Sequence, residues 1–281
     1  MSYVEVAPNV DLFYQDWGTG SPVVFIHGWP LNHEMWEYQM TELPRQGLRC
    51  IAYDRRGFGK SSKPWEPYDY DTLAADLKAV LEALDLRNVT LVGFSMGGGE
   101  VVRYLSRYGS DRVAKAVLLG AVTPFLLKTP DHPDGLDQSV FDGMLEKIKD
   151  DRPAFLESLG LQFFGVSMLK HPVSQALLDW TQMLALQASP KATLDCVHSF
   201  SATDFRADMA RVQVPTLVIH GDNDQIVPID VTGAVAAEMI PGARLVVYEG
   251  APHGLWYTDR EKLNRDLLAF VQQPAPAGAG M

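Results

Sequence analysis

Ser95 stands in Gly93-Phe94-Ser95-Met96-Gly97, directly after the apolar, β-branched run Val89–Val92 and before a helix-compatible segment, Glu100–Tyr108. Strand, serine, helix is an order with a chemical use. A sharp strand-to-helix turn holds the serine backbone in a strained conformation and pushes its hydroxyl outward. Gly93 and Gly97 suit that turn because a Cβ at either position would collide with the neighbouring strand or helix. The free N–H groups at the start of the following helix face any developing negative charge. A serine hydroxyl, however, is a weak nucleophile until a base takes its proton. Histidine is the usual base near neutral pH. Of the seven histidines, His253 in Ala251-Pro252-His253-Gly254 follows the last apolar strand and precedes the final helix. A buried carboxylate should orient that imidazole. The segment His220-Gly221-Asp222-Asn223-Asp224-Gln225 offers Asp222 and Asp224, and residue chemistry alone leaves both open. Asp222 also suits a turn in which it bonds its own backbone. An oxyanion needs two N–H donors: Met96, next after the serine, supplies one, and Trp29, in the loop His27-Gly28-Trp29-Pro30, the other. Pro30 restricts Trp29 to an extended backbone and so directs its N–H and C=O. His27 reads as a structural support of that loop.

These residues must be carried by elements that bring them together. Two short strands open the chain, Ser2–Val6 and Val10–Trp17, with Pro8-Asn9 as the turn. Pro22–Ile26 is a nearly continuous apolar run, suited to a strand covered on both faces. A helical stretch, His33–Gln46, leads to the next buried strand, Leu48–Tyr53, and the glycine-bearing loop Asp54-Arg55-Arg56-Gly57-Phe58-Gly59. Asp71–Leu86 is amphipathic, with Leu73, Leu77, Val80, Leu81 and Leu84 on one face. After the serine turn and its helix comes strand Ala114–Leu119. From Thr123 to Arg211 the alternation stops. Helical segments Gln138–Lys149, Pro153–Leu159, Val173–Leu186 and Pro190–Ser199 fill this interval, which is most simply a cap over the sheet edge. Strand Thr216–Ile219, helix Val231–Met239, strand Arg244–Tyr248 and helix Asp259–Val271 resume the pattern. Residues 274–281 form a low-complexity tail expected to be flexible. Repeated strand–helix units imply a mostly parallel sheet wrapped by helices. Right-handed crossovers then gather His27, Asp54, Ser95, Val122 and Asp224 at one rim, where sites form.

Composition narrows the partners. The chain has 281 residues, 47% of them hydrophobic and 21% charged, and a net charge of −11. That acidity argues against nucleic acid or an anionic membrane, whose phosphates would be repelled. Cys50 and Cys196 are the two cysteines, too few for a disulfide framework or a metal cluster. No spacing of His, Cys and carboxylates suits a metal. Gly59-Lys60-Ser61 resembles the end of a phosphate loop, but Asp54 occupies the position of the required first glycine. Gly97-Gly98-Gly99 lacks the spacing of a dinucleotide fingerprint. The N-terminus shows no secretory signal and the chain no membrane-length apolar run, so a cytoplasmic location is expected.

At His27–Pro30, Met35–Gln39, Asp54–Gly59, Gly93–Gly99, His220-Gly221-x-x-Asp224 and Ala251–Gly254 the chain resembles the α/β-hydrolase superfamily. More closely, it resembles the bacterial aryl esterases also known as cofactor-free haloperoxidases or perhydrolases. The order serine, acid, histidine is the one expected of that fold. The resemblance implies an eight-stranded, mostly parallel sheet with a core of residues 1–122 and 212–273 and a helical cap, 123–211, inserted after strand six. It implies Ser95 as nucleophile, His253 as base and Asp224 as acid, with Trp29, Val122, Phe125, Phe200 and Ile226 lining an acyl pocket. The implied activity is a serine carboxylesterase acting on short-chain or aryl esters, without cofactor or metal, in which hydrogen peroxide can replace water to give a peracid. A homodimer or homotrimer is implied too. A carbon–carbon bond or lactam hydrolase using the same residues is the competing enzyme reading, which a panel of esters, ring-cleavage dienoates and a bicyclic lactam separates. A ligand receptor retaining the triad is the reading from another class, and turnover decides against or for it.

Overall fold

Residues 2–274 are described by the computed structural model. Apart from Pro274, the tail expected to be flexible lies outside the described residues. The strands are β1 (Ser2–Ala7), β2 (Val10–Gly18), β3 (Ser21–Ile26), β4 (Leu48–Tyr53), β5 (Val89–Phe94), β6 (Val113–Leu119), β7 (Thr216–Gly221) and β8 (Arg244–Tyr248). The helices are α1 (Glu37–Glu42), α2 (Tyr70–Ala83), α3 (Met96–Tyr108), α4 (Gln138–Phe163), α5 (Gln175–Leu186), α6 (Pro190–Ala202), α7 (Arg206–Met209), α8 (Gly233–Met239), α9 (Leu255–Thr258) and α10 (Arg260–Gln272).

One sheet runs in the order β1-β2-β4-β3-β5-β6-β7-β8. β2 is antiparallel to both β1 and β4, and every other pairing is parallel. Its centre is covered on both faces: β5 is buried along its whole length, and so are Val23–Ile26 of β3. That is the expected fate of a run without alternation, because helices cover both faces. α2 packs on α3 and α1 on α10, giving two helical layers. The strand order reverses between β3 and β5, so the C-terminal ends of these neighbouring strands open a crevice.

Four helices, α4 to α7, lie between β6 and β7. Side-chain caps fix three of their starts: Asp137 accepts from Ser139 N–H, Ser174 from Leu177 N–H, and Ser189 from Ala192 N–H. Several element boundaries differ from those the periodicity suggests. The expected helices 138–149 and 153–159 form the single element α4, broken at Asp151, whose φ of −146° and ψ of 87° are not helical. Pro153 cannot continue the ladder, and the Asp151 carboxylate caps Ala154 N–H at 3.0 Å to restart it. Helix α2 stops at Ala83, short of Leu84, because Asp85 turns left-handed and Leu86 N–H bonds back to Leu81 C=O. His33–Gln46 is a succession of 3-10, α and 3-10 turns rather than one helix. The helix after the serine begins at Met96, so Gly97–Gly99 are helical. Among the described residues no helix is long and apolar enough to cross a membrane.

Candidate active site

Ser95 occupies the corner between β5 and α3 with φ 54° and ψ −118°, a left-handed backbone that a side chain rarely adopts. Three hydrogen bonds hold it there: Ser95 N–H to Leu119 C=O at 2.9 Å, and its own C=O receiving Gly98 and Val122 N–H. The corner closes only because Gly97 lacks a Cβ, which would come to 2.5 Å from the Ile26 carbonyl oxygen of β3. Gly93 faces the Gly97 backbone in the same way. Local strain is thus held in place by strands on both sides.

The loop after β8 brings His253 to this corner. Its Nε2 lies 3.1 Å from Ser95 Oγ and its Nδ1 2.6 Å from Asp224 Oδ2. The second carboxylate oxygen of Asp224 accepts the Ile226 and Val227 N–H groups at 2.9 and 2.8 Å. His220, on β7, donates from Nε2 to Val227 C=O at 2.8 Å and approaches Asp224 Oδ2 at 3.4 Å. Burial alone would raise the Asp224 carboxyl, but the charge and hydrogen bonds of His253, with those of His220, hold it well below the usual carboxylate range. The two aspartates meet different partners, and of the two it is Asp224 that reaches His253. Asp222 turns away and accepts Gly250 N–H at 2.5 Å, bracing one loop against the other.

Met96 N–H, at the start of α3, and Trp29 N–H both lack an acceptor among the described residues, and the Trp29 C=O receives no donor. Both donors therefore remain uncommitted beside Ser95. The Trp29 indole is anchored by Nε1 donating to Thr193 C=O of α6 at 3.1 Å.

Behind this loop lies a buried polar clamp that the sequence reading missed. The Arg55 guanidinium donates from Nη2 to His27 C=O at 2.6 Å and from Nε to Glu100 Oε1 at 2.5 Å. Glu100, on α3, also accepts the Tyr53 hydroxyl at 3.0 Å. His27 Nε2 accepts Arg55 N–H, which leaves the ring proton on Nδ1, facing the Gly28 carbonyl. Burial first, then the Arg55 charge, push the His27 pKa far down, so the ring is neutral. His27 is accordingly a support of its loop, as its position suggests. The signal that could have exposed the clamp is Glu100 itself, a carboxylate in a helix whose first seven residues are all buried.

An apolar cavity, with about 60 Å³ of room for the centres of water-sized molecules, opens onto Ser95 and His253. Trp29, Val122, Phe200 and Ile226 line it, as expected. Phe125 does not. Its ring lies against His132, at 5.5 Å between centroids, and under the Arg206 guanidinium. Leu126 takes the wall position instead. Phe141, Met144 and Phe163 of α4 complete the far wall. For Phe141 and Met144 the apolar spacing at 140, 141 and 144 after the Asp137 cap was the available sign. Beside the cavity lies a broader vestibule of about 590 Å³ by the same measure, which shares Val140, Met144, Leu159 and Ile226 with it. Among the described residues no group of three His, Cys, Asp or Glu side chains is placed to hold a metal ion.

A family model described as the alpha/beta hydrolase fold matches residues 21–259. The chain belongs to this family. As an α/β-hydrolase it is an enzyme whose relatives resemble it along nearly their full length. The crystal structure of a bromoperoxidase from Bacillus anthracis is 47% identical, with a TM-score of 0.94 over 97% of this chain and 99% of that one. A non-heme chloroperoxidase from Kitasatospora aureofaciens is 46% identical over 94% of this chain and 97% of its own. A bifunctional esterase/perhydrolase from Acinetobacter calcoaceticus is 40% identical, covering 97% of this chain and all of its own length.

Proposed function

We propose that this α/β-hydrolase is a serine carboxylesterase of short-chain or aryl esters, working through an acyl-enzyme on Ser95, with perhydrolysis as a second outcome. The observation that carries the reading is the unbroken chain from Ser95 Oγ to His253 to Asp224, with spacings of 3.1 and 2.6 Å. In this reading His253 takes the Ser95 proton as the oxygen bonds to the ester carbonyl carbon. Asp224, kept ionised, stabilises the imidazolium. The carbonyl oxygen, now an anion, is met by the Trp29 and Met96 N–H groups, each such donor contributing about 3 kcal/mol to the transition state. The imidazolium then protonates the departing alcohol or phenol, leaving the acyl group on Ser95. Water, deprotonated by His253, attacks the acyl carbon and releases the acid and the free serine. When hydrogen peroxide attacks instead, the product is the peracid, which in solution passes one oxygen atom to halide, giving hypohalite and the carboxylic acid. In this reading the Trp29 carbonyl accepts a hydrogen bond from the incoming hydroperoxide. The apolar wall of Val122, Phe141 and Phe200 suits a compact acyl group. The names of the relatives, which span esterase, perhydrolase and haloperoxidase, are consistent with one acyl-enzyme partitioned between two acceptors.

The test is a panel of p-nitrophenyl and phenyl esters assayed with and without hydrogen peroxide and bromide. Hydrolysis of the short esters, and bromination of an added dione only when an acyl donor is present, are the expected results. Bromination without any acyl donor would overturn the peracid route, and no turnover of any ester would overturn the esterase.

A further inference from the structure

A second, much smaller cavity lies on the other side of the active-site wall, between the Pro30–Leu31 loop and helices α4 and α5. Thr181, Gln182 and Ala185 of α5 and Gly160 of α4 line it and take no part in the cavity that holds Ser95. It shares only Leu159 and Phe163 with the cavity that holds Ser95. Phe163 is therefore a partition. Its ring stands edge-on to His253, with centroids 4.7 Å apart. Its backbone is pinned, since Gly254 N–H bonds to the Phe163 carbonyl at 2.6 Å, so any opening is a side-chain rotation. The residue ends α4, where no further turn of helix packs over it.

The two cavities differ in what they can pass. The vestibule is wide enough for an ester and shares four apolar residues with the inner cavity. The smaller cavity leaves about 10 Å³ for the centre of a water-sized molecule, room for about one water and none for an ester. Its polar atoms are the Thr181 hydroxyl, which donates to Leu177 C=O and keeps its lone pairs, and the Gln182 amide, whose N–H side is spent on Pro153 C=O. A water-sized molecule needs two or more such partners to be held. Deacylation has the matching requirement: a small hydroxylic molecule must reach His253 while the acyl group fills the inner cavity.

We infer that this cavity is the inlet for the small acyl acceptor, water or hydrogen peroxide, with Phe163 as the gate, while the ester enters through the vestibule. The inference rests on the acyl-enzyme reading above, which labelling of Ser95 tests separately. Two glycines of α4 allow each route to be narrowed alone. A Cβ at Gly160 meets only Leu178 Cδ2, at 4.0 Å, and one at Gly143, on the vestibule wall, meets nothing within 4 Å. The measurement is acyl partition from p-nitrophenyl acetate in the presence of n-butanol, with stopped-flow separation of acylation from deacylation. For Gly160→Leu, deacylation by water and by peroxide should fall at least fivefold, acylation should stay within twofold, and the butyl ester to acid ratio should rise. Loss in the peroxide arm alone would restrict the inlet to peroxide. For Gly143→Phe, acylation and transfer to butanol should fall while deacylation by water holds. Gly160→Ala, a milder plug that also favours the helix, should give a smaller change in the same direction, and it decides the matter if the leucine variant does not fold. Unchanged partition in the Gly160 variants, or equal slowing of both steps by Gly143→Phe, would overturn the inlet.

Discussion

On the sheet side of the cavity, Ser95, His253 and Asp224 are held by strand ends, backbone hydrogen bonds and charged contacts. On the opposite side, Phe141, Met144 and Phe163 are held by apolar packing on one helix that breaks at Asp151. The first arrangement tolerates little displacement, because each polar group has a partner at a set distance and direction. The second tolerates change of shape, because apolar contact is non-directional and depends mainly on area. In the proposed function, chemistry and selectivity are thus carried by different parts of the fold. Substitutions on the sheet side should change turnover for every ester alike, whereas those on the α4 side should change which ester is preferred.

The largest expected effect is on the sheet side. Ser95→Ala should lower kcat on the order of 10⁶-fold for all esters, as removal of the nucleophile does elsewhere. Asp224→Asn should cost about 10⁴-fold through loss of the imidazole orientation. A chain-length series measures both, and a loss confined to one ester would erase the division of labour.

Asp224 also predicts a pH dependence of stability. Its folded carboxyl lies below the unfolded value of about 3.9. The stability it contributes is therefore complete above that value and is lost as pH falls through the folded one. Thermal melts from pH 7 to pH 2 should show a decline below pH ~4 that is shallower in Asp224→Asn. Equal slopes would contradict the depressed carboxyl.

The clamp behind the Trp29 loop sharpens the comparison further. Arg55→Met leaves the buried Glu100 uncompensated and should destabilise the fold by about 3–5 kcal/mol in denaturant titrations. Adding Glu100→Met should recover most of that stability, since an apolar pair replaces the ion pair. Turnover should not recover with it, because the His27 carbonyl then lacks its donor. Recovery of both together would make the clamp purely structural.

Across the cavity, Phe141→Ala should raise the hexanoate to acetate preference about tenfold, the scale of one or two methylenes in an apolar pocket. Acetate turnover should stay within about threefold. The smallest effect belongs to the break in α4: Asp151→Ala removes a cap and should cost about 1 kcal/mol with acetate kinetics unchanged.

How far the sequence carries this account differs between the same two sides. Ser95 is announced by an apolar strand, two glycines and a helix within a dozen residues, and His253 by its place between the last strand and the last helix. Such signals are local. The choice of Asp224 over Asp222 comes from resemblance, and in the fold one carboxylate meets His253 and the other Gly250 N–H. Arg55 and Glu100 are 45 residues apart, and nothing local pairs them. The exchange of Phe125 for Leu126 was invisible for a related reason. Which of two adjacent apolar side chains faces a cavity depends on the register of an irregular segment, which composition does not encode. The break at Asp151 was legible as a boundary, because Pro153 marks it, but not as a bend inside one element.

The most direct test of the central claim is a structure and peptide map of the enzyme after treatment with an aryl phosphonate. The account requires a single adduct on Ser95 Oγ, its phosphoryl oxygen within hydrogen-bonding distance of both Trp29 and Met96 N–H, with His253 still between Ser95 and Asp224. An adduct on any other side chain, or ester hydrolysis that survives complete labelling of Ser95, would contradict it.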